Sequence, residues 1–230
     1  MVKHNQHFRA TLVAVALLLG LGSSAWTGDM VPAGAPQMLT TVLHEDFEDD
    51  AVGALGAPWT ISSSGTGSVS IVNTTDHGHV LGLQGSSTEG HFWIASRPIS
   101  SSSTDITVQV DIKPGSGASF IWILNGAGTS IGRRRIRLQR MPGSTTLAAQ
   151  TVPSGTTNCG TVRSGAWSRV TLIVHSVPRT FDVLINGAAT SCTGVSAGIQ
   201  PPFNSVSVMD ASNTGWGGTV RFDNIDVTTP

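Results

Sequence analysis

In the run Arg133-Arg134-Arg135-Ile136-Arg137-Leu138-Gln139-Arg140, a period of two sets Arg133, Arg135, Arg137 and Gln139 on one strand face. Ile136 and Leu138 then turn to the core. Like charges about 7 Å apart along a strand repel one another and call for a compensating purpose. One purpose is a binding ridge, because the guanidinium fork pairs with carboxylate or sulfate. The other is an exposed edge strand that blocks aggregation by charge, or arginines that pair with Asp105, Asp111 and Asp182 on neighbouring strands. His175 is the candidate base beside such a ridge. Among the tryptophans, Trp216 lies in the glycine-rich Asn213-Thr214-Gly215-Trp216-Gly217-Gly218 and is the best candidate for an exposed ring. Trp122 sits in Phe120-Ile121-Trp122-Ile123-Leu124, apolar at every position, and reads as core.

The acids offer less. The chain has three glutamates, Glu45, Glu48 and Glu89, and the first two are three apart, so a regular strand points them to opposite faces. Asp111 and Asp182 are a second carboxylate pair, on separate predicted strands. Asp46, Glu48 and Asp223 meet if the first and last strands pair, and a hard cation such as calcium takes oxygen clusters of that kind. A structural calcium is the one cofactor expected. His77 and His79 in Asp76-His77-Gly78-His79 read as turn residues. Cys159 and Cys192 are the only cysteines, and in an exported chain they form one disulfide.

These residues need strands to position them. Beyond residue 40 the apolar residues recur with a period of two, or in short runs bounded by Gly, Pro, Ser or Asn, with no sustained helical period. The predicted strands are Ser68–Asn73, Val80–Gln84, His91–Ser96, Ile106–Lys113, Ser119–Leu124, Arg134–Arg140, Thr145–Thr151, Ser168–His175, Thr180–Asn186, Asn204–Met209 and Thr219–Val227. Asn186-Gly187 is a hairpin turn, since both residues tolerate positive φ. The fold class is all-β, one antiparallel sandwich over residues 42–228 with its terminal strands adjacent.

Residues 1–25 read as a signal peptide. Lys3 and Arg9 precede the apolar run Ala10–Leu21, and Ser23-Ser24-Ala25 suits cleavage. Residues 26–41 form a flexible lead-in. Loss of Lys3 and Arg9 moves the net charge from −1 to −3, which excludes a nucleic-acid partner. No other segment is apolar enough to enter a membrane. The mature chain is expected to be a secreted or periplasmic monomer.

An acidic-Phe-Glu-Asp opening segment, the strand Gly165-Ala166-Trp167-Ser168-Arg169-Val170-Thr171-Leu172, the hairpin strand Phe181-Asp182-Val183-Leu184-Ile185-Asn186-Gly187 and the closing Phe222-Asp223-Asn224-Ile225-Asp226-Val227 follow in order. This series resembles the concanavalin A-like lectin/glucanase superfamily in its laminin-G-like branch. The resemblance implies a jelly roll. It allows a lectin, a binding module, a hydrolase or a lyase. Hydrolases of the superfamily carry two glutamates four apart on one strand with an aspartate between, a pattern this chain lacks. Its uronate lyases use an Arg/Gln/His set with a tyrosine, and this chain has no tyrosine. The expectation is a lectin-like module without catalytic activity, which binds a polysaccharide, acidic if the arginines serve it. Arg133, Arg135, Arg137, Trp216 and His175 are the expected contacts. An enzyme acting on an acidic glycan and an adhesive surface domain are the alternatives.

Overall fold

The computed structural model describes residues 38–85, 91–100, 105–115, 118–125, 134–141, 143–151, 155–196, 203–212 and 218–230. For 91, 118–125, 134–135, 151 and 211–212 the description is of the backbone.

Strands with alternating apolar residues have one oily face each, and two sheets close over those faces. Numbered in chain order, the larger sheet runs β14 (Ala188–Ala189), β13 (Thr180–Ile185), β12 (Ser168–His175), β7 (Ile106–Pro114), β17 (Thr219–Thr229), β5 (Gly78–Gln84), β4 (Ser68–Thr74) and β2 (Gly53–Ala54). β1 (Thr40–Glu45) also pairs with β17, and β15 (Val195–Ser196) with β13. The smaller sheet runs β11 (Thr156–Thr161), β10 (Thr146–Thr151), β9 (Arg134–Arg140), β8 (Ala118–Asn125), β16 (Phe203–Ser212), β6 (His91–Pro98) and β3 (Thr60–Ser64). Neighbouring strands are antiparallel throughout. The all-β sandwich expected from the periodicity is the observed architecture.

Val108, Val110 and Ile112 of β7, Leu172 and Val174 of β12, and Phe222 and Val227 of β17 face Ile136 and Leu138 of β9 and Val206 and Val208 of β16 across one core. The predicted strands recur with ends shifted by a few residues. β1, β3, β11 and the two-residue β2, β14 and β15 lie outside the predicted strands, and Thr40 and Thr41 belong to β1 rather than to a flexible lead-in. The leader lies outside the described residues.

Two features tie the sandwich together. β17 pairs with β5 over Thr219–Phe222 and with β1 from Ile225 to Thr229, and the register shifts between Asp223 and Asp226. Asn224 sits at this shift with φ 47°, a left-handed conformation that asparagine tolerates. The terminal strands are therefore adjacent. Cys159 of β11 is bonded to Cys192, whose carbonyl accepts the Val183 N–H of β13. The disulfide thus links an edge strand of the smaller sheet to the larger sheet. The Asn186-Gly187 turn has φ 52° and 77°, as its hairpin reading requires.

Candidate functional site

The smaller sheet carries a transverse row on the face away from the core. Its register partners are, in order, Thr156, Gln150, Arg137, Trp122, Ser207, Ser96 and Thr60, one from each of the seven strands. The neighbouring row is Asn158, Ala148, Gln139, Phe120, Met209, Ile94 and Ser62. Alternation assigns both rows, because Ile136, Leu138, Val206 and Val208 occupy the intervening positions and lie in the core.

In the first row Thr156 and Thr60 are exposed, Gln150 and Arg137 half-buried, and Ser96 and Ser207 buried. The two serine hydroxyls bond at 2.7 Å, and Thr60 Oγ1 donates to the Ser96 carbonyl at 3.3 Å. Gln139 Oε1 and Ser205 Oγ are buried without a hydrogen-bond partner among the described residues. The Thr156 and Thr60 hydroxyls, the Gln150 amide and the Arg137 guanidinium are the donors and acceptors of this row that reach the surface.

The structure sorts the expected contacts. Arg137 and Arg135 lie on β9, while Arg133 and Trp216 lie outside the described residues. β9 has β8 on one side and β10 on the other, so it is not an edge strand. Nor do its arginines reach Asp105, Asp111 or Asp182 as strand neighbours. Those acids belong to the larger sheet or its connections: Asp111 to Arg169 at 2.8 Å, Asp182 to His175 at 3.1 Å, and Asp105 to Ser176. His175 is on β12 and half-exposed on the larger sheet. It therefore does not join the arginine strand, and the lyase-like grouping of His175 with arginines is not assembled. Trp122 holds a register position between Arg137 and Ser207, and its side chain lies outside the described residues.

The larger sheet's outer face has its own polar group. Asp111 and Asp223 are register partners on β7 and β17. Arg169 makes two bonds of 2.8 Å to Asp111, and Asn224 Nδ2 donates to Asp111 at 2.9 Å. Burial pushes the Asp111 carboxyl up, but these bonds outweigh it and hold it below the ordinary value. His77 Nδ1 donates to Asp223 Oδ2 at 2.7 Å. Here burial prevails, and the Asp223 carboxyl is raised. His77 stacks on Trp167 with ring centroids 4.0 Å apart, and Trp167 Nε1 and Lys113 Nζ both donate to Asp76. Lys113's hydrogen bond, aided by Trp167, holds Asp76 down at about 2.

The expected calcium ligands are each engaged within the protein. Such an ion needs six to eight oxygens. Asp223 is engaged with His77 and with the Asn224 side chain and backbone. Glu48 accepts the His79 N–H and its carboxylate packs over Gly78, and Asp46 accepts the Glu48 N–H beside His44. No set of three His, Cys, Asp or Glu converges as a metal site among the described residues. The acidic opening segment is a turn after β1 and not a strand, so the alternation argument for Glu48 does not apply.

Sequence reasoning missed two kinds of residue. Gln150, Thr156, Ser96, Ser207 and Thr60 are small or polar residues without a motif, and strand register alone unites them. Arg140 shares parity with Ile136 and Leu138; it turns inward and is 1% exposed. Its guanidinium donates to the Ser144 carbonyl at 2.6 Å, to Ser164 Oγ at 2.9 Å and to the Gly115 carbonyl. Alternation within the arginine run was the signal for it.

No family model matches this chain, and no curated protein matches it. Solved structures match by shape. A sialidase aligns with a TM-score of 0.62 at 14% identity, over 81% of this chain and 18% of the sialidase, so the chain spans a small part of that protein's length. An endo-β-1,4-glucuronan lyase from the fungus Trichoderma reesei aligns with a TM-score of 0.56 at 16% identity, over 83% of this chain and 96% of the lyase. A carbohydrate esterase from a Shiga toxin-encoding bacteriophage aligns with a TM-score of 0.54 at 14% identity, over 84% and 99%. At such identities the likeness is one of fold, an antiparallel β-sandwich.

Proposed function

We propose that this chain is a secreted, non-catalytic module that binds a polysaccharide along the outer face of its smaller sheet. One observation carries the reading: the row from Thr156 through Gln150, Arg137, Ser207 and Ser96 to Thr60 crosses all seven strands in register. The row runs at right angles to the strands, about 4.8 Å per step, and its exposed Thr156 and Thr60 with the half-buried Gln150 and Arg137 are the groups that an extended chain of sugars would meet. The names of the sialidase, the glucuronan lyase and the carbohydrate esterase, which share the fold, support a carbohydrate ligand. The disulfide supports an oxidising compartment. Arg137 favours a uronate-containing polymer, because a guanidinium–carboxylate bond is about twice as strong as a neutral one. Calcium has no part in this reading.

A panel of immobilised neutral and uronate polysaccharides tests it with the wild type, Arg137→Ala and Gln150→Ala. Loss of a charged hydrogen bond costs about 1.5–3 kcal/mol, so Arg137→Ala should weaken binding to a uronate polymer roughly ten- to a hundredfold. Gln150→Ala should weaken it less. Absence of binding to any glycan, or equal binding by Arg137→Ala, overturns the proposal.

A further inference from the structure

A cavity of about 380 Å³ opens on the larger sheet, lined by Lys113, Gly115, Gly165, Gly218, Thr219 and Arg221 among others. It is remote in topology from the polysaccharide row, which belongs to the other sheet. Its two charged lining side chains are both cations. Lys113 and Arg221 are register partners on β7 and β17, so they stand side by side, where like charges repel.

Only one of the two is neutralised. Lys113 bonds Asp76 at 2.7 Å. Arg221 makes no ion pair among the described residues, and its Nε is buried without an acceptor. The nearest acids on that face are already committed. Asp223, two residues along β17, holds His77 and Asn224, and Asp111 holds Arg169. A third cation backs the wall. Arg140 donates to the Gly115 carbonyl from behind, and its partners are carbonyls and a hydroxyl rather than a carboxylate. Its Nε too is buried without an acceptor. Desolvated positive charge that lacks a counter-charge is costly unless something supplies one.

Two glycines shape the wall. A Cβ on Gly115 would strike the Thr219 carbonyl oxygen, which accepts the Gly115 N–H at 2.7 Å, so the two backbones close up against each other there. Gly165 has φ +74° and open space where a Cβ would point. The result is a glycine-walled recess with two cations at its side and a third behind it.

We propose that this recess is an anion-binding site for a carboxylate or sulfate group, held by Arg221 and Lys113 and favoured by the buried charge of Arg140. An incoming oxyanion gives Arg221 the acceptor that the described residues do not. The two anions share this chemistry and differ in shape, planar against tetrahedral. The inference does not depend on the polysaccharide row.

Calorimetry with sodium glucuronate and with sodium sulfate, at constant ionic strength held by chloride, tests it in an Arg137→Gln background, which removes the guanidinium assigned to the polysaccharide row, with and without Arg221→Gln. Arg221 is partly exposed, and its replacement leaves the core intact; a melting curve checks that each variant is folded. Saturable binding of either anion is expected in Arg137→Gln. Adding Arg221→Gln should weaken it about tenfold or more. Backbone amide shifts at Gly115, Gly165 and Gly218 should move with the anion. Binding of glucuronate alone, of sulfate alone or of both supports the site and gives its shape preference. Binding of neither overturns the proposal. So does equal binding with and without Arg221→Gln.

Discussion

Asp111 and Asp223 stand opposite each other on adjacent strands, and the Nδ2 of Asn224 bonds both, at 2.9 and 3.2 Å. Two buried carboxylates at one register position would repel without a donor between them. The same asparagine occupies the left-handed conformation that shifts β17 from one partner strand to the other. One residue therefore serves backbone and electrostatics at once. Asn224→Gly keeps the backbone and removes the amide, and should cost about 1–3 kcal/mol. Asn224→Ala adds a left-handed penalty of about 1–2 kcal/mol. Asn224→Asp, a third carboxylate beside the first two, should cost more than the glycine variant at neutral pH. Denaturant unfolding midpoints rank the three. Equal stability of wild type and Asn224→Gly would show that the bridge contributes nothing.

Stability should depend on pH at both ends of the range, with opposite signs. His44 donates to Asp226 at 2.6 Å, and that bond raises its pKa above 6.5. The folded state then holds the proton more tightly than the unfolded chain. The contribution is complete below 6.5 and disappears as pH rises through the raised folded value. His44 is largely exposed, so the amount is under about 1 kcal/mol. His44→Asn should flatten the slope there. Asp76 behaves in reverse. With its pKa lowered from 3.8 to about 2, its contribution is present above 3.8 and lost as pH falls toward 2. Carboxyl titration by NMR should show Asp76 returning toward 3.8 in Lys113→Met. An unmoved Asp76 in that variant would exclude Lys113 as the cause.

The Cys159–Cys192 bond closes a 33-residue separation in sequence. Loop entropy for that length predicts a loss of about 3–4 kcal/mol in Cys159→Ser/Cys192→Ser. A lower melting temperature with unchanged far-ultraviolet circular dichroism is the expected result. Because the bond holds β11, an edge strand, to the opposite sheet, amide exchange should quicken first at Thr156–Thr161. Uniform quickening across both sheets would refute that local role.

Some of this was legible in the sequence for plain reasons. Ile106-Thr107-Val108-Gln109-Val110 alternates, so β7 declares itself, and Asn186-Gly187 permits only a few turns. β3 and β11 are Ser- and Thr-rich edge strands with few apolar residues, so the pattern signal fails there. The end segments declare the pairing of β1 with β17, but not the partners of their acids. His77 and Asp223 are 146 residues apart, and no local pattern records such a contact. Which sheet a strand joins is likewise set by tertiary order. That is why His175 could be read as a neighbour of the arginines while it lies on the other layer. The polar row was illegible because its members come from seven strands and share nothing in sequence but register.

The antiparallel pairing of β1 with β17 sets Thr40 against Thr229. A pull between those two ends acts along the interstrand hydrogen bonds and not across them. It would open the ladder one rung at a time, beginning at Thr40 and Thr229, rather than shear all the rungs together. The β1–β17 seam is thus soft to a pull between Thr40 and Thr229, a load that parts it like a zip.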